Sequence, residues 1–320
     1  MASGEFAPVL LAQAVAGCLH VPPENLSFRR CATGKFNTTW FVSGGREPLV
    51  LRVAPPDDPA RVLFYEYRMM RQEPGLHRRL RRETGVPVPA IRAHVWDNPR
   101  LKRDFLLMEQ LPGRPLSEIR GLGSAQVDRL MAAVGDCLRQ CHALTGTHYG
   151  YAGPHRPMEP QSDWAGAFHV MWHKLLDDIE RCGGYERDET LFLRRLLDRH
   201  RARFEQPVPA ALLHMDVWAQ NILLDDAGRL TGLLDWDRAL YGDPEIEFAV
   251  LDYCGISTPA FWEGYRARRD DSPEARVRHA FYYLYELQKY IFIRRVRGGS
   301  ASGADGYRRE ALRIARSLGG

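Results

Sequence analysis

Residues 214–221 read His214-Met215-Asp216-Val217-Trp218-Ala219-Gln220-Asn221, and Asp235 follows in Leu234-Asp235-Trp236. Between Asn221 and Asp235 two apolar runs flank Asp226-Ala227-Gly228, the punctuation of a β-hairpin. A turn centred near Gly228 sets residue 221 opposite residue 235. An amide oxygen and a carboxylate oxygen then meet at the open end of one hairpin, and both are hard oxygen donors of the kind magnesium takes. Asp216, earlier on the same loop, can accept a proton from an attacking hydroxyl while a metal neutralises phosphate charge. Single Asp and Asn residues on loops are ordinarily turn formers. His214, Asp216, Asn221 and Asp235 in one compact unit point instead to phosphoryl transfer, with Asp216 as base and Asn221 and Asp235 as metal ligands.

A second group lies in the first third of the chain. Glu66 shares a helical face with Val62, Met69 and Met70, so its carboxylate is expected to point inward along an apolar stripe. A buried charge needs a partner. Leu49-Val50-Leu51-Arg52-Val53 offers Arg52, the one basic residue in an apolar run. In kinases a strand cation paired with a helix Glu holds the α- and β-phosphates. Thr33-Gly34-Lys35-Phe36-Asn37 falls between the first two strands, where a phosphate-covering turn through Gly34 would lie, although the Walker A spacing is absent. Phe105 to Leu111 runs from a strand into a connector, where backbone groups at Glu109 and Leu111 could bond adenine.

These groups require elements to position them. Residues 25–31, 38–43, 48–53, 90–96 and 104–110 are short β-branched or apolar runs, and a helix is expected from about Pro59 to Glu73, stopped by Pro74-Gly75. Beyond Leu111-Pro112-Gly113 the periodicity becomes helical over 124–144, 163–182, 188–204, 259–269, 273–297 and 307–318. Strands at 211–213, 222–225 and 230–234 interrupt it. Gly298 to Gly306, rich in small residues, is expected to be a mobile surface loop. The fold class is therefore α+β: residues 1–111 form a small antiparallel-sheet lobe that binds nucleotide, and residues 112–320 a larger, mainly helical lobe for catalysis and acceptor binding.

Composition bounds the rest. With 45% hydrophobic and 26% charged residues and no apolar run near the length of a membrane span, a transmembrane protein is excluded. Val15-Ala16-Gly17-Cys18 resembles a lipoprotein cleavage site, but no Lys or Arg precedes it, and 7–20 reads as an amphipathic helix. Six scattered cysteines suit a reducing cytoplasm. The net charge of +4 is small, and Arg78, Arg79, Arg81 and Arg82 read as a solvated helix face without a recognition motif, so no nucleic-acid or membrane partner is expected. Cys137, Cys141 and His142 lie inside a helical pattern and lack a second ligand pair. His169 and His173 stand at i and i+4 without the intervening Glu of the metalloprotease pattern, and read as surface or core histidines.

With these residues in hand, the chain resembles the aminoglycoside phosphotransferase and choline kinase group of protein-kinase-like enzymes over nearly its whole length. The likeness rests on Arg52, Glu66 and Leu107-Met108-Glu109, then on His214-x-Asp216-x-x-x-x-Asn221 and Leu234-Asp235-Trp236. Gly242-Asp243-Pro244 stands where that group has a brace for the catalytic loop. Trp218, Tyr241-Gly242 with Glu245 and Glu247, and Phe261-Trp262-Glu263-Gly264-Tyr265 are similar to fructosamine kinases. Arg52 replaces the usual strand Lys, and Met215 stands where the group generally has Gly. The resemblance implies a bilobal, kinase-like fold and a monomer or homodimer that moves the γ-phosphoryl group of ATP, with Mg2+, to a small-molecule hydroxyl. The acceptor it implies is an aminoglycoside-type antibiotic or other amino sugar, with a fructosamine as the rival. Asp163, Trp218, Tyr241, Glu245 and Glu286 are the candidate acceptor contacts, and Glu247 and Asp252 are further carboxylates for a polycation. A pseudokinase or nucleotide-binding regulator is the reading of another class, suggested by Arg52 and Met215.

Overall fold

The computed structural model describes residues 6–32, 34, 36–151, 153–298 and 301–319. Five strands, β1 (Ser27–Arg30), β2 (Thr38–Ser43), β3 (Leu49–Val53), β4 (Ile91–Asn98) and β5 (Arg103–Glu109), form one sheet in the order β1-β2-β3-β5-β4, each pair antiparallel. Side chains alternate across β3. Leu49, Leu51 and Val53 join Trp40, Phe105 and Leu107 beneath helix α1 (Pro8–Leu19), which supplies Leu11 and Val15. Arg52 therefore projects from the opposite face, toward the rest of the chain.

The segment between β3 and β4 departs from expectation. In place of one helix over 59–73 there are two short 3-10 turns, Pro59–Arg61 and Met69–Gln72, and Arg68 between them has φ +56°. Helix α2 (Glu73–Glu83) begins where the expected helix was to end. Pro74 starts it rather than stopping it, because a proline in the first turn gives up only an N–H that has no intrahelical acceptor. Glu73, not Glu66, thereby becomes the helix acid that faces the sheet.

After β6 (Arg114–Pro115) come α3 (Ser124–His142), α4 (Trp164–Arg181), α5 (Arg187–His200) and β7 (Ala211–Leu213), followed by the β8 (Ile222–Leu224) and β9 (Leu230–Leu233) hairpin. The chain continues through β10 (Leu240–Gly242), α6 (Pro244–Tyr253), α7 (Pro259–Tyr265), α8 (Pro273–Val296) and α9 (Ala301–Leu318). Trp164, Phe168, Trp172, Phe281 and Tyr285 fill the main core between α4, α5 and α8. β10 and α6 were not foreseen, although Asp243-Pro244 is an N-cap followed by an N1 proline: Asp243 accepts from Glu245 N at 3.0 Å. The expected loop over 298–306 is also corrected. Gly299 and Ser300 lie outside the described residues, and from Ala301 onward the chain is already helical. Among the described residues no helix is long and apolar enough to cross a membrane.

Candidate active site

The hairpin forms as its turn chemistry requires. Asp225 Oδ1 accepts from Ala227 N and Arg229 N, and Gly228 takes φ +75°. Ile222 pairs with Leu233, and Leu234 N donates to Asn221 O at 2.8 Å. Residue 221 thus faces 234, one position short of the expected register: Asp225 N donates to Arg229 O, so the turn centres on Ala227 rather than Gly228, and an irregularity between Leu223 and Leu224 makes up part of the offset. Asp235 is the next residue, and its left-handed backbone (φ +67°) turns the chain there.

The loop carrying Asp216 is pinned from below by a carboxylate the sequence had not singled out for that task. Glu247, fully buried on α6, accepts from His214 N (3.0 Å) and Met215 N (2.7 Å) and meets His142 Nε2 at 2.8 Å. Burial alone would push Glu247 up, but the bond to His142 holds it below the usual range, so it stays a charged acceptor. Gly242-Asp243-Pro244 was the expected brace; Asp243 instead caps α6 and accepts from Tyr282 Oη at 3.0 Å. Met215 occupies φ +66°, a region glycine enters freely, with its side chain fully buried. His214 Nε2 lies 2.9 Å from Leu234 O and ties the loop to the end of the hairpin.

Asn221 Nδ2 donates to both Asp216 O and Asp216 Oδ2 at 2.9 Å, which leaves Asn221 Oδ1 for another partner. Asp216 Oδ1 lies 3.4 Å from Arg238 Nη1. Arg238, itself buried, reaches Glu286 Oε2 at 3.0 Å, and Glu286 also pairs with Lys289. A charge-balanced relay of Asp216, Arg238, Glu286 and Lys289 therefore backs the candidate base.

Arg52 reaches this site from β3, but not through Glu66. Its Nη1 bonds both oxygens of Glu73 (2.7 and 2.6 Å), and its Nη2 lies 2.5 Å from Asp235 Oδ1 and 3.2 Å from Asp237 Oδ2. Glu66 accepts from Leu63 N and pairs with Arg297 at the end of α8. Burial pushes Glu73 up, yet Arg52 and His77 together hold it below the ordinary carboxylate range. Asp237 moves the other way: burial and then the charge of Asp235 push it well up, against the pull of Arg52. Oxygens of Glu73, Asp235 and Asp237 all lie within 4.8 Å of one another. Glu73 and Asp237 were missing from the expected set. Glu73 was hidden by the misplaced helix, whereas Asp237 is legible in Asp235-Trp236-Asp237, two acids at i and i+2.

The remaining candidates divide. Gly34 is a tight turn, since a Cβ there would sit 2.7 Å from Asn37 O, and Asn37 Nδ2 in turn donates to Asp237 Oδ2 at 3.0 Å; Thr33 and Lys35 lie outside the described residues. Glu109 ends β5 with its backbone N–H and its carboxylate both engaged by Ala90, and Leu111 packs over Gly232 of β9. Trp218 is half-buried on the loop that carries Asp216. Tyr241 is not brought to Asp216: its hydroxyl takes a bond from Arg79 and its ring lies against Gly146. Asp163 caps α4 through Gly166 N, and Glu245 holds Arg278 by two bonds.

One consequence concerns pH. Burial and the charge of Glu245 push Asp243 up to about 6. A carboxyl raised in the folded state contributes stability that is fully present below its unfolded value and is lost as pH rises through about 6. Asp243→Asn is expected to flatten that decline, on the order of 3 kcal/mol, in thermal melts taken from acid to neutral pH. An unchanged pH slope would remove Asp243 as its source.

The sequence profile of the phosphotransferase enzyme family (APH) matches residues 27–282. A probable ketoamine kinase of Lactiplantibacillus plantarum is 28% identical over 178 residues, 53% of this chain and 61% of that protein. A thiamine kinase of Salmonella gallinarum is 28% identical over 151 residues, 47% of this chain and 51% of that one. The chain thus spans between half and two thirds of the length of these curated relatives. The crystal structure of aminoglycoside phosphotransferase APH(4)-Ia superposes with a TM-score of 0.66 at 16% identity, covering 97% of this chain and 99% of that one. A provisionally assigned fructosamine-3-kinase of Haemophilus somnus gives 0.67 at 16% identity, covering 95% and 96%. The superpositions show a shared fold, the expected kinase-like arrangement of an antiparallel sheet followed by a helical part. The extent of the profile match shows more: this chain belongs to the phosphotransferase enzyme family.

Proposed function

We propose that the protein is an ATP-dependent kinase that transfers the γ-phosphoryl group to a hydroxyl of a small molecule held beside Asp216. The observation that carries this reading is the meeting of Asp216, Asn221 and Asp235 at the open end of one hairpin, with Arg52 reaching the same point from the sheet. The nucleotide is assigned to the seam between residues 1–111 and 112–320, its phosphates near Arg52 and the Gly34 turn, its base along the backbone from Glu109 to Leu111. The donor set fits Mg2+: Asp235, Asp237 and the free Oδ1 of Asn221 are all oxygen donors, and the acids already converge. When bound, the ion supplies charge neutralisation on the phosphates.

The residues themselves do the rest. Asp216 orients the acceptor hydroxyl and takes its proton, Asn221 fixes the Asp216 carboxylate, and Arg238 keeps it aimed. Arg52, braced by Glu73, draws the non-transferred phosphates. Both departures that suggested a pseudokinase are accommodated: Arg52 keeps a cation and a helix acid together, and the Met215 N–H is used by Glu247.

For the acceptor we favour a sugar of low charge, in the manner of a ketoamine, over a polycationic aminoglycoside. A polycation needs unpaired carboxylates, and those named for it are engaged: Asp163 in a cap, Glu245 with Arg278, Glu247 under the loop, Asp252 with Arg269, Glu286 between Arg238 and Lys289. Trp218, half-buried two residues after Asp216, is the aromatic side chain proposed to meet a sugar. The test is ADP release over fructosyl-amines, neutral sugars, amino alcohols and aminoglycosides. Fructosyl-amines or sugars are expected to stimulate it most, and aminoglycoside turnover as the largest response would reverse the preference. Asp216→Asn should lower kcat by about 10²–10⁴-fold with little change in nucleotide binding. Near wild-type turnover in that variant would remove Asp216 as base.

A further inference from the structure

His169 and His173 lie on one face of α4, and their rings stack with centroids 4.1 Å apart. The acid absent between them in sequence is supplied in space. Asp198, on α5, brings Oδ1 to 3.1 Å from His169 Nε2, and ligand atoms of all three residues lie within 4.8 Å of one another. His173 Nε2 is buried without a hydrogen-bond partner, whereas its Nδ1 takes Arg194 Nη1 at 2.9 Å. Arg194 is also tied to Asp177, one turn further along α4.

We propose that His169, His173 and Asp198 form a binding site for a divalent transition metal, zinc foremost, that pins α4 to α5. Two imidazoles and one carboxylate are the ligand set of zinc sites that keep a position open for water, and they discriminate against magnesium and calcium, which take all-oxygen shells. The donors come from two helices, so the ion adds a cross-link to elements already joined by packing and by the Arg194–Asp177 pair. Arg194 is the resident cation of the site and competes for the His173 ring. Metal at His173 requires Arg194 to release Nδ1, which it can do while keeping Asp177. The site is separate from the Glu73, Asp235 and Asp237 cluster and does not depend on the phosphotransfer reading.

The test is calorimetric titration of metal-stripped protein with Zn2+, repeated with Co2+ while its visible absorption is recorded, in the wild type and in His169→Ala, His173→Ala and Arg194→Met. One site is expected with a tetrahedral Co2+ spectrum, weakened at least about tenfold by loss of either histidine and tightened by Arg194→Met. Binding at the all-oxygen cluster would survive the histidine changes and give a weak, octahedral spectrum. Unaltered affinity in the histidine variants, or no tightening in Arg194→Met, overturns the proposal. The Arg194→Met arm stands even where a histidine variant fails to fold.

Discussion

Asp235→Asn is expected to retain the fold and lose phosphoryl transfer by about three orders of magnitude or more, the scale on which charge stabilisation at a transferring group acts. Asparagine is the cleaner replacement than alanine because Asp235 sits at φ +67°, where Asn and Asp are tolerated and other side chains are strained. Its side chain is one-third exposed and bonds Arg52, so the packing lost is small. Thermal melting should therefore shift little while kcat collapses and the Mg2+ concentration for half-activity rises. A variant with an intact melt and near wild-type turnover would show that Asp235 holds no catalytic metal.

The parts of this site that could be read in sequence are those fixed by local chemistry. The hairpin was legible because Asp226-Ala227-Gly228 between apolar runs has few other outcomes, and its register missed by one residue because the turn centres on Ala227 rather than Gly228, an offset that the irregularity between Leu223 and Leu224 only partly makes up. The helix acid was not legible. Pro74-Gly75 reads equally as a helix stop or as a helix start, and choosing the stop moved the inward acid from Glu73 to Glu66. Glu66 does point inward, and does find an arginine, but that partner is Arg297, far along the chain. Glu247 was visible only as one of several acids after Gly242. Its role depends on α6 packing beneath residues 214–215, a contact between segments that no periodicity encodes. The same limit applies to the carboxylates named for the acceptor: Arg278, Arg269 and Arg238 reach them from other elements, and Lys289, three residues after Glu286 on α8, is the one partner that local spacing could have shown.

Arg52→Met should be the most damaging single change to stability at the site, and the damage should be conditional. In the wild type one guanidinium touches Glu73, Asp235 and Asp237, and the first and last of these are almost wholly buried. Removing it leaves acids within 4.8 Å of one another with no cation between them. Losing one partner of a buried charge pair costs about 3–5 kcal/mol. Without Arg52 the pull that now lowers Glu73 and restrains Asp237 is gone, so both carboxyls rise. Groups raised in the folded state stabilise it below their unfolded values and stop doing so as pH rises. The deficit of the variant should therefore be largest at neutral pH and shrink toward about pH 4, where carboxyls protonate. Wild-type Glu73, held low, has the opposite slope: its contribution is present above the unfolded value and falls away in acid. Because three converging oxygens also suit a hard dication, Mg2+ should raise the melting temperature of Arg52→Met well beyond its effect on the wild type. Arg52→Lys should restore the charge and much of the stability but not the two-oxygen grip on Glu73, since an ammonium is a point charge and not a fork. A variant that melts like the wild type at neutral pH would mean that the carboxylates are not held together by Arg52. One that is destabilised yet indifferent to Mg2+ would mean that they do not converge on a metal.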